Sequence, residues 1–200
     1  LEVTGQDGPN LILGYENHTA KILSISEGED GWNSSLDIRM ENGTIDYTFQ
    51  EEMFMVFRMT DQENDSEMDE EVTKGISKGE VGGEVVVDRD ENGYSDISVN
   101  YSDMKMKTEV KEKNRVQVEV SSETLEEGKI VSLKVYKDVL DIDDIEELQV
   151  MFDDEEIGLA DDYEDLTNTS DGAEYLVSIG AEEVQVLVMV PHFSTHTIDL

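Results

Sequence analysis

The 200-residue chain contains no cysteine, which excludes disulfide bonds and thiolate-ligated metal sites. No apolar run approaches the roughly 20 residues that would span a bilayer as a helix, so no membrane insertion is expected within this chain. Basic residues are scarce. Fourteen Lys and Arg stand against 50 Asp and Glu, for a formal net charge of −36 and a pI near 4.1. A surface of that sign is repelled by nucleic-acid phosphates and by anionic lipid, which removes both as partners. Aromatic residues make up only 6% of the chain, with a single Trp.

What is present is acid, and its counterparts are cations. A mean hydropathy of −0.48 with such a charge lies near the composition of disordered chains. Apolar residues nevertheless alternate in many short runs, which argues for a folded protein. The self-repulsion needs an offset, and at about 1 M salt the Debye length falls to about 3 Å. A halophilic or calcium-rich exterior is therefore expected. The chain begins at Leu1, as a processed or excised chain would.

Six N-x-S/T sequons occur, at Asn17, Asn33, Asn42, Asn64, Asn100 and Asn168, although the chain has only nine Asn. Its content of Asn, Ser and Thr gives about one such triplet by chance. The excess points to an extracellular glycoprotein carrying N-linked glycans.

Strand patterns dominate the first 60 residues. "IRMENGTIDYTF" reads as a hairpin turning at Asn42-Gly43, and "EEMFMVFRMT", apolar on both faces, as a central buried strand. Residues 61–80, acidic and punctuated by glycine, read as a long solvated loop. Strands resume at "GEVVVD", "YSDISVNY", "KMKTEV" and "RVQVEVS". In the last of these Val116, Val118 and Val120 share one face. After the strand "KIVSLKVY", "DIDDIEEL" reads as a short helix with acids in its first turn. "LQVMFDDEEIGLA" reads as a hairpin, "DDYEDLT" as one helical turn, and "EYLVSIG" and "VQVLVMV" as closing strands. The expectation is a mainly β fold, a β-sandwich of Ig-like or related type or two stacked small β-domains, with one or two short helices in the C-terminal third. A boundary is placed near Lys113-Asn114, separating residues 1–114 from 115–200.

Candidate chemistry is sparse. His192 and His196 have the i, i+4 spacing of zinc ligands on a helix. Pro191 and the β-branched Thr195, Thr197 and Ile198 favour a strand instead. There, i and i+4 stand about 13 Å apart, too far for one ion. Alternation puts His192, Ser194, His196 and Ile198 on one face. Ser194 and His192 make a catalytic triad only on paper, since no G-x-S-x-G elbow exists, and no enzyme is expected. The stretch "DRDENGYSD" resembles the first part of a calcium loop. Asp88, Asp90, Asn92 and Asp96 would supply side chains and Tyr94 a carbonyl, with Gly93 allowing the turn. The bidentate Glu of an EF-hand is missing, because Val99 takes its place. The competing reading is a plain hairpin at Asn92-Gly93. Trp32, Tyr94, Tyr101 and Tyr163 are candidates for a sugar-stacking platform.

The closing third, "LQVMFDDEEIGLADDYEDL" and then "AEYLVSIGAEEVQVLVMVPHFSTHTIDL", resembles the terminal module of archaeal cell-surface and secreted proteins that end on an HFSxHTI-type strand. The likeness covers residues 115–200 and is carried mainly by "VPHFSTHTI". It implies an extracellular β-module of surface-layer, adhesion or other envelope proteins, and it implies no catalytic residues. The combined expectation is a non-catalytic cell-surface glycoprotein module that packs against copies of itself or other envelope proteins in a surface layer, sheath or filament. The strand "FSTHTIDL" would pair with a neighbour's sheet edge. The alternative is a calcium-dependent carbohydrate-binding or adhesion module of a secreted protein.

Overall fold

A computed structural model describes residues 2–5, 9–28, 31–48, 54–59, 67–91, 93–168 and 172–200, the first four segments as backbone only. The chain is mainly β and divides into two compact units, residues 1–78 and 79–200.

In the first unit β1 (Glu2–Gly5), β2 (Pro9–Gly28), β3 (Gly31–Thr48) and β4 (Phe54–Met59) form one antiparallel sheet. The hairpin of β2 and β3 closes at the Gly28↔Gly31 pair, not at Asn42-Gly43. That dipeptide lies within β3, opposite a register shift between Tyr15 and Thr19. The backbone freedom read from the sequence as a turn therefore falls at a bulge. β4 pairs with β2 alone among the described residues, so it is not a central strand.

The expected acidic loop contains a helix, α1 (Glu67–Lys78). Met68, Val72 and Ile76 recur every four residues and are buried. Three acids in the first turn and Lys78 in the last suit the helix dipole. Composition concealed a spacing that sets one apolar stripe under a charged face.

The second unit is a sandwich. One sheet has the order β11-β10-β15-β8-β7, and the other β12-β13-β14-β9-β5-β6. The strands are β5 (Val81–Asp90), β6 (Gly93–Asn100), β7 (Lys105–Glu112), β8 (Arg115–Ser121), β9 (Lys129–Tyr136), β10 (Met151–Phe152), β11 (Glu155–Glu156), β12 (Gly158–Leu159), β13 (Glu174–Ile179), β14 (Glu183–Val190) and β15 (Thr195–Asp199). Val116, Val118 and Val120 of β8 meet Val131, Leu133 and Val135 of β9 and the even-numbered valines 184–190 of β14 in one core. Burying each such side chain contributes about 1.5–3 kcal/mol. β9 and β14 are buried on both faces, which explains their nearly continuous apolar sequences.

The short helices appear where expected. A 3-10 turn at Ile145–Glu147 is capped by Asp144, whose side chain accepts from the Glu146 N–H. Helix α2 (Tyr163–Leu166) is capped by Asp162 in the same way, with Leu166 buried beneath it.

Lys113-Asn114 is not a boundary. It is the turn between the paired strands β7 and β8, with Asn114 at φ 64. Asn114 donates its N–H to the Val139 carbonyl and accepts the Asp141 N–H, both at 2.8 Å. The β7–β8 ladder closes across it at Glu112↔Arg115.

Candidate functional site

The calcium-like stretch folds as a hairpin. β5 and β6 pair antiparallel up to Asp90↔Gly93, and Gly93 sits at φ 126, a conformation that side chains strain to adopt. The register separates the proposed ligands. Asp88 opposes Ser95, whereas Asp96 opposes Val87, and directly opposed residues share a face. Asp96 thus belongs to the row of the core residue Val87, and Asp88 to the other face. Their carboxylates cannot converge on one ion. The side chain of Asp90 and all of Asn92 lie outside the described residues. Among the described residues, no three His, Cys, Asp or Glu groups are placed to hold a metal.

Tyr94 opposes Arg89 and lies 5.3 Å beneath its guanidinium carbon. Tyr101 donates to Glu84 at 2.9 Å and Tyr163 to Glu80 at 3.3 Å. The tyrosines are distributed along β5 and its N-terminal approach, each tied to its own partner. The side chain of Trp32 lies outside the described residues, although its backbone pairs with Glu27.

Of the sequon residues, Asn100 ends β6 and Asn168 follows α2, and both side chains are exposed. Asn17 and Asn42 flank one bulge in the β2–β3 ladder, and Asn33 opposes Ser26. Asn64 lies outside the described residues.

The polar constellation that the fold does assemble is at the end of the chain. β15 begins only at Thr195, and residues 191–194 are bent. The bend brings the rings of His192 and His196 to 4.9 Å between centroids. The extended segment expected to hold them about 13 Å apart is not formed. His196 opposes the buried Val120 and is itself 5% exposed, its ring stacked 4.9 Å from Phe152.

Its nitrogens complete a line. Nδ1 lies 2.6 Å from an Asp153 carboxylate oxygen, and Nε2 lies 3.0 Å from the Ser194 hydroxyl. An ionised carboxylate only accepts, so Nδ1 carries the proton of that bond. The other Asp153 oxygen accepts the Thr197 N–H at 2.8 Å, and Asp153 donates its own N–H to the Thr197 carbonyl, also at 2.8 Å. Asp153 and Asp154 take φ of 52 and 66 in the two-residue turn of the β10–β11 hairpin, the left-handed geometry such turns require. Burial acts to raise the Asp153 pKa. Hydrogen bonds from His196 and Thr197, with the charges of His196 and His192, outweigh that effect and hold it below the usual carboxylate range.

The sequence alone pairs Ser194 with His192 and does not choose the acid. The fold selects His196 and Asp153, 43 residues apart. The usable signal was the Asp-Asp pair between two short β-runs, since aspartate is one of the few residues that tolerate this turn.

The order of Ser, His and Asp matches an acyl-transfer triad, but the burial is reversed. In such a triad the acid is buried and the imidazole opens toward substrate. Here the acid side chain is 45% exposed while the imidazole is buried. Through Asp153 the same contacts tie the β10–β11 turn to β15. Comparison with protein-family models, with curated proteins and with solved structures returned no match. No helix among the described residues is long and apolar enough to cross a membrane.

Proposed function

We propose that the chain is a non-catalytic, extracellular cell-surface glycoprotein module with a structural role, assembling with copies of itself in a surface layer, sheath or filament. The carrying observation is an open sheet edge. Among the described residues β6 is hydrogen-bonded only to β5, and its eight residues contain no Lys, Arg or Pro. Ile97 and Val99 stand 66% and 37% exposed along it. Monomeric proteins usually shorten, charge or cover such an edge. The closing strand is not the joining element expected from the sequence, because β15 is already paired on both sides, with β8 and β10. The exposed sequon at Asn168 fits a glycosylated exterior. Cations enter this reading as screening charge and not as ligands of a built site.

Light scattering with negative-stain imaging of the full chain, from low to about 1 M salt and with or without EDTA, tests the reading. Ordered polymers that form as salt rises and persist in EDTA are the expected result. A monomer under every condition would remove the self-assembly role.

The line from Ser194 through His196 to Asp153 favours a second reading, acyl transfer. Ser194 would attack an ester carbonyl while passing its proton to His196, and the proton would then leave with the alcohol. A fluorophosphonate probe decides it. Labelling that disappears in Ser194→Ala would establish the activity, and no labelling would leave the serine a structural partner of the histidine.

A further inference from the structure

We propose that two copies of the chain join edge to edge through β6, antiparallel about a two-fold axis at Ile97, so that their six-stranded sheets become one. This rests on the self-assembly reading and names its first contact.

The backbone shows which residues are open. The two-residue turn of the β5–β6 hairpin closes on Asp90↔Gly93, and such a turn closes on a pair that exchanges both backbone bonds. At the other end of β6 the Tyr101 N–H donates to the Gly82 carbonyl at 2.9 Å. Bonded pairs recur at every second residue of an antiparallel ladder, so Ser95, Ile97 and Val99 turn their N–H and C=O groups toward β5. Tyr94, Asp96, Ser98 and Asn100 turn theirs to the free edge, where no described strand meets them.

The strand is complementary to itself. Opposed residues of an antiparallel pair share a face, and only residues whose backbone groups face the edge can exchange bonds across it. With Ile97 on the axis, Tyr94 opposes Asn100 of the second copy and Asp96 opposes its Ser98, each pairing occurring twice. All four open residues are then used, giving about eight backbone hydrogen bonds. Ile97 meets its own copy in the closely spaced, unbonded position, with Val99 of the second copy diagonal to it. Ile97 is 66% exposed, the most of any large hydrophobic residue described. Half-buried Val86 lies beside it on β5, so the apolar row from Val86 to Ile97 continues across the seam.

Other registers lose by comparison. An axis at Asp96 sets the one charged residue of β6 against itself. An axis at Ser98 sets Tyr94 against Ser102, whose N–H is already given to the Gly82 carbonyl at 3.1 Å. A one-residue slip opposes open residues to closed ones and turns each side chain to the wrong face.

Charge around the edge selects no partner. Lys105, Lys107 and Lys111 of β7 stand among exposed Asp96, Glu109 and Glu112, and Lys111 is ion-paired with Glu109. Register and apolar contact choose the occupant, and a second β6 supplies both. Each copy is strongly acidic, so the pairing strengthens as salt rises toward about 1 M. A two-fold contact closes on itself, which makes the pair the unit from which larger assembly proceeds.

The chain has no cysteine, so a single introduced one reports the axis. The Cα atoms of a closely spaced pair lie about 4.5 Å apart, within disulfide range. Full-length Ile97→Cys, treated with oxidised glutathione at about 1 M salt, is expected to form a disulfide-linked dimer. Leu159→Cys, at a 50% exposed site on β12, is the collision control and is expected to stay largely monomeric. Ile97→Asp sets two like charges on the axis and is expected to raise the dimer Kd at least about tenfold. Ser98→Pro removes an N–H that faces the free edge and no bond to β5. It is expected to weaken dimerisation as much while the dilute chain melts as the parent does. A parent that is monomeric at every salt overturns this pairing together with the self-assembly reading. A parent that assembles while Ile97→Cys crosslinks no faster than Leu159→Cys, or while Ile97→Asp assembles as well as the parent, overturns the β6 seam alone.

Discussion

Two acidic hairpins, β5–β6 and β10–β11, look alike in sequence and do different things. "DRDENGYSD" has the alternating acids of a calcium loop, yet its register sends Asp88 and Asp96 to opposite faces. "MFDDEE" matches no ligand pattern, yet its turn directs Asp153 into three hydrogen bonds with β15. Acids two or four apart converge only if the backbone curls around an ion; in a flat ladder the separation is fixed by the pleat. An acid in a left-handed turn is free of that constraint and is aimed by the turn.

The contrast is most sharply broken by removing the histidine. His196→Ala deletes a buried stacked ring and leaves the Asp153 carboxylate without its partner, so a loss of about 2–4 kcal/mol is expected. Denaturant unfolding measures it, and a loss under about 0.5 kcal/mol would mean that the hairpin is not locked through this ring.

Asp153→Asn comes next, with about 1–2 kcal/mol lost at pH 7. Asp153 has a folded-state pKa below its unfolded value. Its contribution is complete above the unfolded value and disappears as the pH falls through the folded one. The gap between parent and variant should accordingly close below about pH 4. A gap that stays constant from pH 7 to pH 3 would assign the loss to something other than this carboxylate.

Gly93→Ala tests the other hairpin. A Cβ at this position meets nothing within 4 Å, so only the strain of φ 126 opposes it. About 1 kcal/mol is expected, read from thermal unfolding. Asp88→Ala and Asp96→Ala should change stability least, within about 0.5 kcal/mol, and added calcium should shift the melting of parent and variants equally. A calcium-dependent stabilisation lost in both variants would restore the calcium loop.

Local alternation carries the parts of the fold that the sequence makes readable. The Val116, Val118 and Val120 row, the hairpin at Asp153-Asp154 and the one-turn helix at Tyr163 all follow from spacing or turn chemistry within ten residues. The helix at Glu67–Lys78 was legible too, in Met68, Val72 and Ile76, but its acidity hid the stripe. Long-range pairing is different in kind. That His196 meets Asp153, or that β7 and β11 bound one sheet, depends on which strands become neighbours. No short window of sequence encodes that choice.

Hydrogen–deuterium exchange of the full chain, dilute and assembled, tests assembly through the β6 edge most directly. The expected result is new protection in β6, with the interior strands β8, β9 and β14 unchanged. Identical exchange in β6 at both concentrations would contradict it.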